Sequence, residues 1–450
     1  MNTFFNSSAG TGKTYRLTDK YKKLILENNI DPHEILLMTF TKNAAAELKS
    51  EVIKKISNEI LEFDTIKEDK QRYLMQRVYS APICTMDAYC KDILQENAID
   101  AGISPTFQLA ENDEYQEILD ELSHQEMLEY ISKDKYFSQF CSGMLLNSSG
   151  KFSESSIPKT AKKIINEASS MGLLFNDEIE LLPYPEKVTI EDFKLLSHEY
   201  SKKKNGESTE YIRIKINKFL ESSLNLSDLL NQITKEKFNP KKNTKIAKSF
   251  HELINKAKYK EYYPYFNSFN NYIKSIFKNA EDYKFKRNIL TFDDIKYHAI
   301  KIINNRIYQP KFKYLIIDEV QDTSVIQYQL IKSLWKKNVT IITCGDSKQS
   351  IYSWRNADSE IMNIIHDEIK SLGGNITPLQ KSYRTKKTLI LTINKIFRNA
   401  KFHETTISKY LRKNVCFPNY NNEELISNTE INADEDDSDS IECLLPEEVL

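Results

Sequence analysis

The segment Ser7-Ser8-Ala9-Gly10-Thr11-Gly12-Lys13-Thr14 constrains the fold of this chain more than any other stretch of it. Gly10 and Gly12 lack a Cβ, so the backbone can curl there and aim successive N–H groups at phosphate oxygens. A helix that starts where such a loop ends adds the positive end of its dipole at the same point. In that arrangement Lys13 sits between the β- and γ-phosphates of a nucleoside triphosphate, and Thr14 offers its hydroxyl to Mg²⁺. The common form of the loop begins with Gly, where this chain has Ser7. A Gly-Lys-Thr tripeptide alone is a weak signal, and it gains weight from a second segment far downstream.

That segment is Lys313-Tyr314-Leu315-Ile316-Ile317-Asp318-Glu319-Val320-Gln321-Asp322. Four residues of high β propensity run straight into two carboxylates, which reads as a buried parallel strand delivering acids at its C-terminal edge. Open α/β sheets bind their ligands at that edge. Asp318 is placed to hold Mg²⁺ through water, and Glu319 to orient and deprotonate an attacking water. An acidic loop after any buried strand is the plain alternative; the phosphate loop in the same chain argues against it.

At 450 residues the chain is too long for one compact core and is expected to form two or three domains. Glu34-Ile35-Leu36-Leu37-Met38-Thr39-Phe40 reads as a second buried strand. Thr41 follows as an N-cap, then a helix with Ala45, Leu48, Val52, Ile53 and Ile56 on one face. Residues 81–85 form a shorter strand candidate. From about 108 to 285 the pattern is helical and polar, with breaks at Asn147-Ser148-Ser149-Gly150 and Lys204-Asn205-Gly206. Parallel-strand signatures resume at 314–317, 339–344 and 375–379. The expected fold class is therefore α/β, a phosphate-loop parallel sheet interrupted by an inserted, mostly helical domain.

Composition narrows the partners. No stretch approaches a transmembrane span and no basic segment leads an apolar run at the N-terminus, so neither membrane insertion nor secretion is expected. Cys84, Cys90, Cys141, Cys344, Cys416 and Cys443 lack paired metal-ligand spacing and read as reduced thiols of a cytoplasmic protein. The formal net charge of −1 hides an asymmetry: eleven acidic and no basic residues lie beyond position 420, so the remainder is net basic. Residues 235–260 are the most lysine-rich stretch, which suits either non-specific phosphate-backbone contact or a solvated face. Lysine far outnumbers arginine, so bidentate reading of bases is not indicated.

A third constellation is Gly345-Asp346-Ser347-Lys348-Gln349-Ser350-Ile351-Tyr352-Ser353-Trp354-Arg355-Asn356-Ala357-Asp358. Because it follows a strand, Gln349 could reach a γ-phosphate while the aromatics beyond it face another ligand. Tyr352 and Trp354 could stack on bases, which would link hydrolysis to grip on a strand, or they could pack a core.

Together these blocks resemble the superfamily 1 helicases of the UvrD/Rep group, and most of all its RecB/AddA-type branch. The first is the phosphate loop. The block Met38-Thr39-Phe40-Thr41-Lys42-Asn43-Ala44-Ala45-Ala46-Glu47-Leu48 is similar to the family's first DNA-contact motif, and Asp318-Glu319-Val320-Gln321-Asp322 to its Walker B form. The stretch from Gly345 resembles its coupling motif. Leu379-Gln380-Lys381-Ser382-Tyr383-Arg384-Thr385 resembles its fourth motif, and Phe292-Asp293-Asp294-Ile295 the lead into Walker B. The resemblance implies a RecA-like lobe with ATP and Mg²⁺ as cofactors. It implies that Ser7, Ser8, Ala9, Gly10, Thr11, Gly12, Lys13 and Thr14 hold the phosphates, Tyr383 stacks on adenine, and Thr14 and Asp318 serve the metal. Glu319, Asp318, Gln349 and Arg384 would then be catalytic, with Gln349 and Arg384 touching the γ-phosphate. Phe40, Thr41, Tyr352, Trp354 and Arg355 would contact single-stranded DNA.

By the same resemblance the chain divides into a first lobe at 1–107 and 286–374, an inserted helical domain at 108–285 that flanks the duplex junction, the start of a second lobe at 375–420, and an acidic tail at 421–450. The implied activity is ATP-driven translocation, 3′ to 5′, on single-stranded or junction DNA in repair or recombination. The chain departs from the family in places. Only six residues precede Ser7, where the family carries a glutamine motif. Thr85-Met86-Asp87 stands where a Thr-x-His motif is usual, and an acid there would repel a phosphate path. The family's last two motifs, with their arginine finger, have no counterpart in 401–450. The expectation is an N-terminal motor half, either a fragment or one product of a split gene, to which a second polypeptide could supply the missing lobe or a nuclease; a non-unwinding ATP- and DNA-binding regulatory module is the alternative.

Overall fold

The structure, a computed structural model, describes residues 1–8, 10–62, 68–110, 112–146, 156–173, 188–201, 207–236, 238, 244–346, 349–351, 357–379, 381–384, 389–391 and 426–427. It divides into two compact units, one formed by Met1–Glu111, Glu167–Phe175 and Asn288–Leu450, the other by Asn112–Asn166 and Asn176–Arg287.

Ten strands are described, all in the first unit: β1 (Thr3–Ser7), β2 (Ile35–Thr39), β3 (Ile83–Thr85), β4 (Gln108–Leu109), β5 (Ile289–Leu290), β6 (Tyr314–Ile317), β7 (Thr340–Gly345), β8 (Asn375–Leu379), β9 (Lys381–Ser382) and β10 (Ile426–Ser427). Six of them make one parallel sheet in the order β3-β2-β6-β7-β1-β8. The central strands are buried on both faces, and their side chains alternate between two apolar layers. Leu36, Met38, Leu315, Ile317 and Ile341 face one layer; Ile35, Leu37, Ile316, Ile342 and Cys344 face the other. The helices Lys13–Leu26 and Lys42–Glu62 cover the second layer through Leu17, Tyr21, Leu48, Val52 and Ile56. The helices Met86–Glu96, Phe292–Asn304, Val325–Leu334 and Ser359–Ser371 cover the first. This is the two-sided burial that continuous apolar strands require.

Strand order decides where the site lies. β6, β7 and β1 are neighbours, so the loops leaving their C-terminal ends at Asp318, Asp346 and Ser8 emerge side by side. β1 itself was not expected from the sequence. Its residues Thr3-Phe4-Phe5-Asn6-Ser7 mix two aromatics with Asn and Ser, too weak a pattern to stand out, yet β1 pairs with both β7 and β8.

A second lobe beginning at residue 375 does not hold. Asn375–Leu379 pairs with β1 over five residues, Thr3 opposite Asn375 to Ser7 opposite Leu379, and forms the edge of the first sheet. Its Pro378 suits an edge position, where a missing N–H costs no ladder bond. Beyond it β9 pairs in parallel with β10, so Ile426–Ser427, expected in an acidic tail, returns beside Lys381–Ser382.

The described residues of the second unit form helices joined by short connections, from Asn112–Lys133 and Lys135–Leu146 through Ile190–Ser201, Glu207–Ser222 and Leu226–Lys235 to the 43-residue helix Lys245–Arg287, which contains Pro264. Phe193, Ile216, Phe219, Leu229 and Phe250 form one of its cores. Lys256, Lys258 and Lys260 of the lysine-rich stretch lie on the long helix; 237 and 239–243 fall outside the described residues, as do the breaks at 147–150 and 204–206. No described helix is long and apolar enough to cross a membrane.

Candidate nucleotide-binding site

β1 ends at Ser7, whose Oγ donates to the Gly345 carbonyl at 3.1 Å and ties the start of the loop to the end of β7. Thr11 closes the loop on itself: its Oγ1 donates to the Ser8 carbonyl at 2.7 Å and its N–H to the same oxygen at 3.3 Å. Gly10 and Gly12 have φ values of 74° and 80°, the left-handed region that L side chains rarely adopt. Gly12 is the N-cap of the helix Lys13–Leu26 and brings no side chain to its first N–H groups. Ala9 lies outside the described residues.

The loop is packed from the far side by β9 and the residues after it. The Tyr383 N–H donates to the Gly10 carbonyl at 2.9 Å. A Cβ on Gly10 would stand 2.9 Å from the Arg384 Cβ and 3.2 Å from the Ser382 Oγ, and one on Gly12 would meet the Tyr383 ring at 3.8 Å. Glycine is thus demanded at Gly10 by conformation and by space, and at Gly12 by conformation alone. Tyr383 is 58% exposed beside Gly12.

The acids follow β6. Asp318 is buried, and its Oδ1 accepts from the Glu319 N–H at 2.9 Å and the Cys344 thiol at 2.8 Å. Burial, and then the Glu319 charge, push the Asp318 pKa up, against the Cys344 bond and the Lys13 ammonium. Glu319 holds φ 53° and ψ 47°, left-handed backbone in a residue with a Cβ. That turn sends its carboxylate to Lys13, whose Nζ donates to Oε2 at 2.8 Å and to Oε1 at 3.0 Å. Burial works against the Lys13 charge, but Glu319 outweighs it and the pKa is raised.

Gln349 joins the same cluster: its Oε1 accepts from Lys13 Nζ at 3.4 Å, and its Nε2 donates to Asp346 Oδ2 at 2.6 Å. Three residues without an assigned role from sequence complete it. Gln321, only 1% exposed, donates from Nε2 to Glu319 Oε2 at 2.7 Å and accepts the Asp346 N–H on Oε1 at 3.1 Å. Cys344 bonds Asp318, and Asp346 receives Gln349. Lys13, Glu319, Gln321, Asp346 and Gln349 therefore close a ring across the ends of β1, β6 and β7. An amide two positions after the Walker B glutamate was the visible signal for Gln321, overshadowed by the carboxylates around it. Asp322 is also buried, and burial together with the Glu319 charge pushes its pKa up to about 7.

The residues singled out for a strand of DNA are described only in part. Phe40 is half-buried just past β2, and exposed Thr41 accepts the Ala44 N–H at 3.1 Å, capping the helix Lys42–Glu62. Tyr352, Trp354 and Arg355 lie outside the described residues. Asp87, expected to repel a phosphate path, is paired: Lys296 Nζ lies 3.2 Å from its Oδ1 and 3.2 Å from Asp293 Oδ1.

The donor set suits a magnesium ion. Mg²⁺ takes hard oxygen ligands, usually one or two carboxylates with substrate phosphates and water. Among the described residues Asp318 keeps Oδ2 clear of hydrogen bonds while Oδ1 is held by two donors, and Thr14 follows Lys13 at the start of the helix.

A family model described as the UvrD/REP helicase N-terminal domain matches residues 2–370. Among curated proteins, the chain is similar to an ATP-dependent helicase/nuclease subunit from Alkaliphilus oremlandii, 23% identical across 88% of this chain and 38% of that protein. It is similar to the proteins of the same name from Clostridium beijerinckii, 25% identical across 88% of this chain and 38% of the relative, and Staphylococcus epidermidis, 24% identical across 87% and 37%. The chain thus spans less than two-fifths of the length of these relatives.

Proposed function

The chain belongs to the UvrD/REP helicase N-terminal domain family, and we propose that it binds and hydrolyses Mg·ATP as the nucleotide-holding lobe of an ATP-dependent DNA helicase. The observation that carries this reading is the convergence of Lys13, Glu319 and Gln349 at the mouths of three adjacent strands, with the carboxylate and the amide both within 3.4 Å of the Lys13 ammonium.

In this mechanism the N–H groups from Gly10 to Thr14 and the Lys13 ammonium hold the β- and γ-phosphates. Thr14 and Asp318 would hold Mg²⁺, which when bound supplies positive charge against the phosphate oxygens. Entry of the nucleotide draws Lys13 from Glu319 toward the γ-phosphate and frees the carboxylate. Glu319 then orients a water and takes its proton as the water oxygen bonds to the γ-phosphorus and the bond to the β–γ bridging oxygen breaks. Gln349 and Arg384 contact the γ-phosphate, and the exposed Tyr383 ring takes the adenine. We assign Phe40, Thr41, Tyr352, Trp354 and Arg355 to a single strand of DNA, held without sequence preference. Movement 3′ to 5′, work in repair or recombination, a cytoplasmic setting and a partner subunit belong to the same proposal. The relatives' name, which makes each of them one part of a helicase/nuclease, supports it.

Equilibrium titration with a fluorescent ATP analogue tests the site. The wild type is expected to bind in the presence of Mg²⁺ and Lys13→Ala to bind at least about tenfold more weakly, with the phosphate cation gone; equal affinities refute the assignment.

A further inference from the structure

We propose that Gln321 is a positioning residue for the hydrolysis, holding Glu319 in place and making its orientation depend on the loop that follows β7. The inference rests on the proposed function above.

Gln321 has no route to a nucleotide. It is 1% exposed, it leaves β6 behind the two acids, and every polar group it offers is directed into the protein. Its amide serves two strands at once. Nε2 donates to Glu319 Oε2 at 2.7 Å and reaches Asp322 Oδ2 at 3.4 Å, while Oε1 accepts the backbone N–H of Asp346 at 3.1 Å. Its carbonyl takes a second bond from the same loop, the Ser350 Oγ at 3.2 Å. Gly345 makes this approach possible, since a Cβ there would lie 3.1 Å from Gln321 Oε1 and 2.8 Å from Val320 Cγ2.

Glu319 needs such a support. In left-handed backbone its carboxylate has two described side-chain donors, Lys13 and Gln321. Once Lys13 turns to a phosphate, Gln321 is the described donor that keeps the carboxylate aimed. The amide cannot rotate to follow Glu319 without withdrawing Oε1 from Asp346. A shift of the loop carrying Asp346, Gln349 and Ser350 therefore pulls on the base through a fully buried link. Whatever ligand moves that loop changes the geometry of the base through this link, in addition to the direct contact of Gln349 with Lys13.

The test uses Gln321→Met, which keeps the volume and removes donor and acceptor, and Gln321→Glu, which keeps the acceptor and places a carboxylate against Glu319 and Asp322. Both are made in the 450-residue chain and checked by thermal unfolding. Affinity for a fluorescent ATP analogue and single-turnover hydrolysis are measured with and without oligothymidylate. The expected result is nucleotide affinity within about threefold of wild type and hydrolysis slower by about 10- to 100-fold, as for other supports of reacting groups, with the larger loss in Gln321→Glu and no response to the oligonucleotide in either. A folded Gln321→Met that hydrolyses at the wild-type rate, or that loses affinity and rate in proportion, overturns the inference. A wild-type chain without measurable hydrolysis strikes the proposed function instead.

Discussion

Lys13 Nζ stands 2.8 Å from Glu319 Oε2, so the cation of the phosphate loop and the proposed general base neutralise each other across neighbouring parts of one sheet edge. Either group can serve a nucleotide only by giving up the other. The pair is only partly shielded, with Glu319 33% exposed, so the exchange is not blocked by a deep desolvation cost.

Glu319→Gln separates the two roles. The amide cannot hold Lys13 as an ion pair, so affinity for a Mg·ATP analogue is expected to equal or exceed that of wild type. Hydrolysis should fall by about 10²- to 10⁴-fold with the base gone. Titration and single-turnover assays on the same preparation check both halves. A variant that loses affinity along with rate would show that Glu319 supports binding rather than proton transfer.

Gly10→Ala places a methyl group 2.9 Å from the Arg384 Cβ at a φ of 74°. Strain and clash act together there, so a stability loss of more than about 1 kcal/mol is expected along with loss of nucleotide binding. Thermal unfolding beside the titration decides it; unchanged melting and affinity would mean that the loop has room to relax away from Arg384.

Asp322 makes stability depend on pH. Its pKa is pushed up to about 7 from an ordinary 3.8, by burial first and Glu319 second. Above pH 7 the folded chain keeps a buried charge that the unfolded chain solvates, which costs stability. Between about 7 and 3.8 the folded chain binds a proton that the unfolded chain does not, so this cost is relieved as pH falls. Asp322→Asn is therefore expected to raise Tm at about pH 8 and to change it much less at about pH 5. Equal shifts at both pH values would place the effect elsewhere.

The strands ending in chemistry were legible because their residues are of one kind. Leu315, Ile316 and Ile317 before Asp318, and Leu36 and Leu37 before Thr39, are buried on both faces and show it as unbroken apolar runs. β1 was hidden because Asn6 and Ser7 break its pattern, and its place is fixed by pairing partners more than 300 positions away. The links among Gln321, Asp346 and Cys344 were hidden for a related reason. Gln321 Oε1 takes the Asp346 N–H and the Cys344 thiol donates to Asp318, and no spacing along one segment encodes a contact between the ends of β6 and β7.

Trp354 carries the strand-binding proposal. Single-stranded DNA is expected to bind without sequence preference, with affinity falling as salt rises. Trp354→Ala should lose roughly 1–3 kcal/mol of binding if a base stacks on the indole. Fluorescence anisotropy with labelled oligonucleotides of two compositions measures it. A variant with lower Tm and unchanged affinity would make Trp354 a packing residue.

Asp87 offers the opposite case, an acid whose charge is already spent. The Lys296 ammonium is buried, donates to the Phe292 carbonyl at 2.7 Å, and is shared between Asp87 and Asp293. Burial opposes the Lys296 charge, but the carboxylates outweigh it and raise its pKa, so the ammonium persists at neutral pH. Asp87→Asn leaves that buried cation with one carboxylate, and a stability loss on the order of 1–3 kcal/mol is expected. Were Asp87 instead an uncompensated charge beside a phosphate path, the substitution would tighten binding of an oligonucleotide at low salt, and the gain would disappear as salt screened it. The expected outcome is a lower Tm with oligonucleotide affinity changed by less than about twofold at either salt concentration, since a neutralised charge exerts little force across a Debye length. A salt-sensitive gain in affinity with no loss of stability would show that Lys296 does not neutralise Asp87 and that the acid faces the strand.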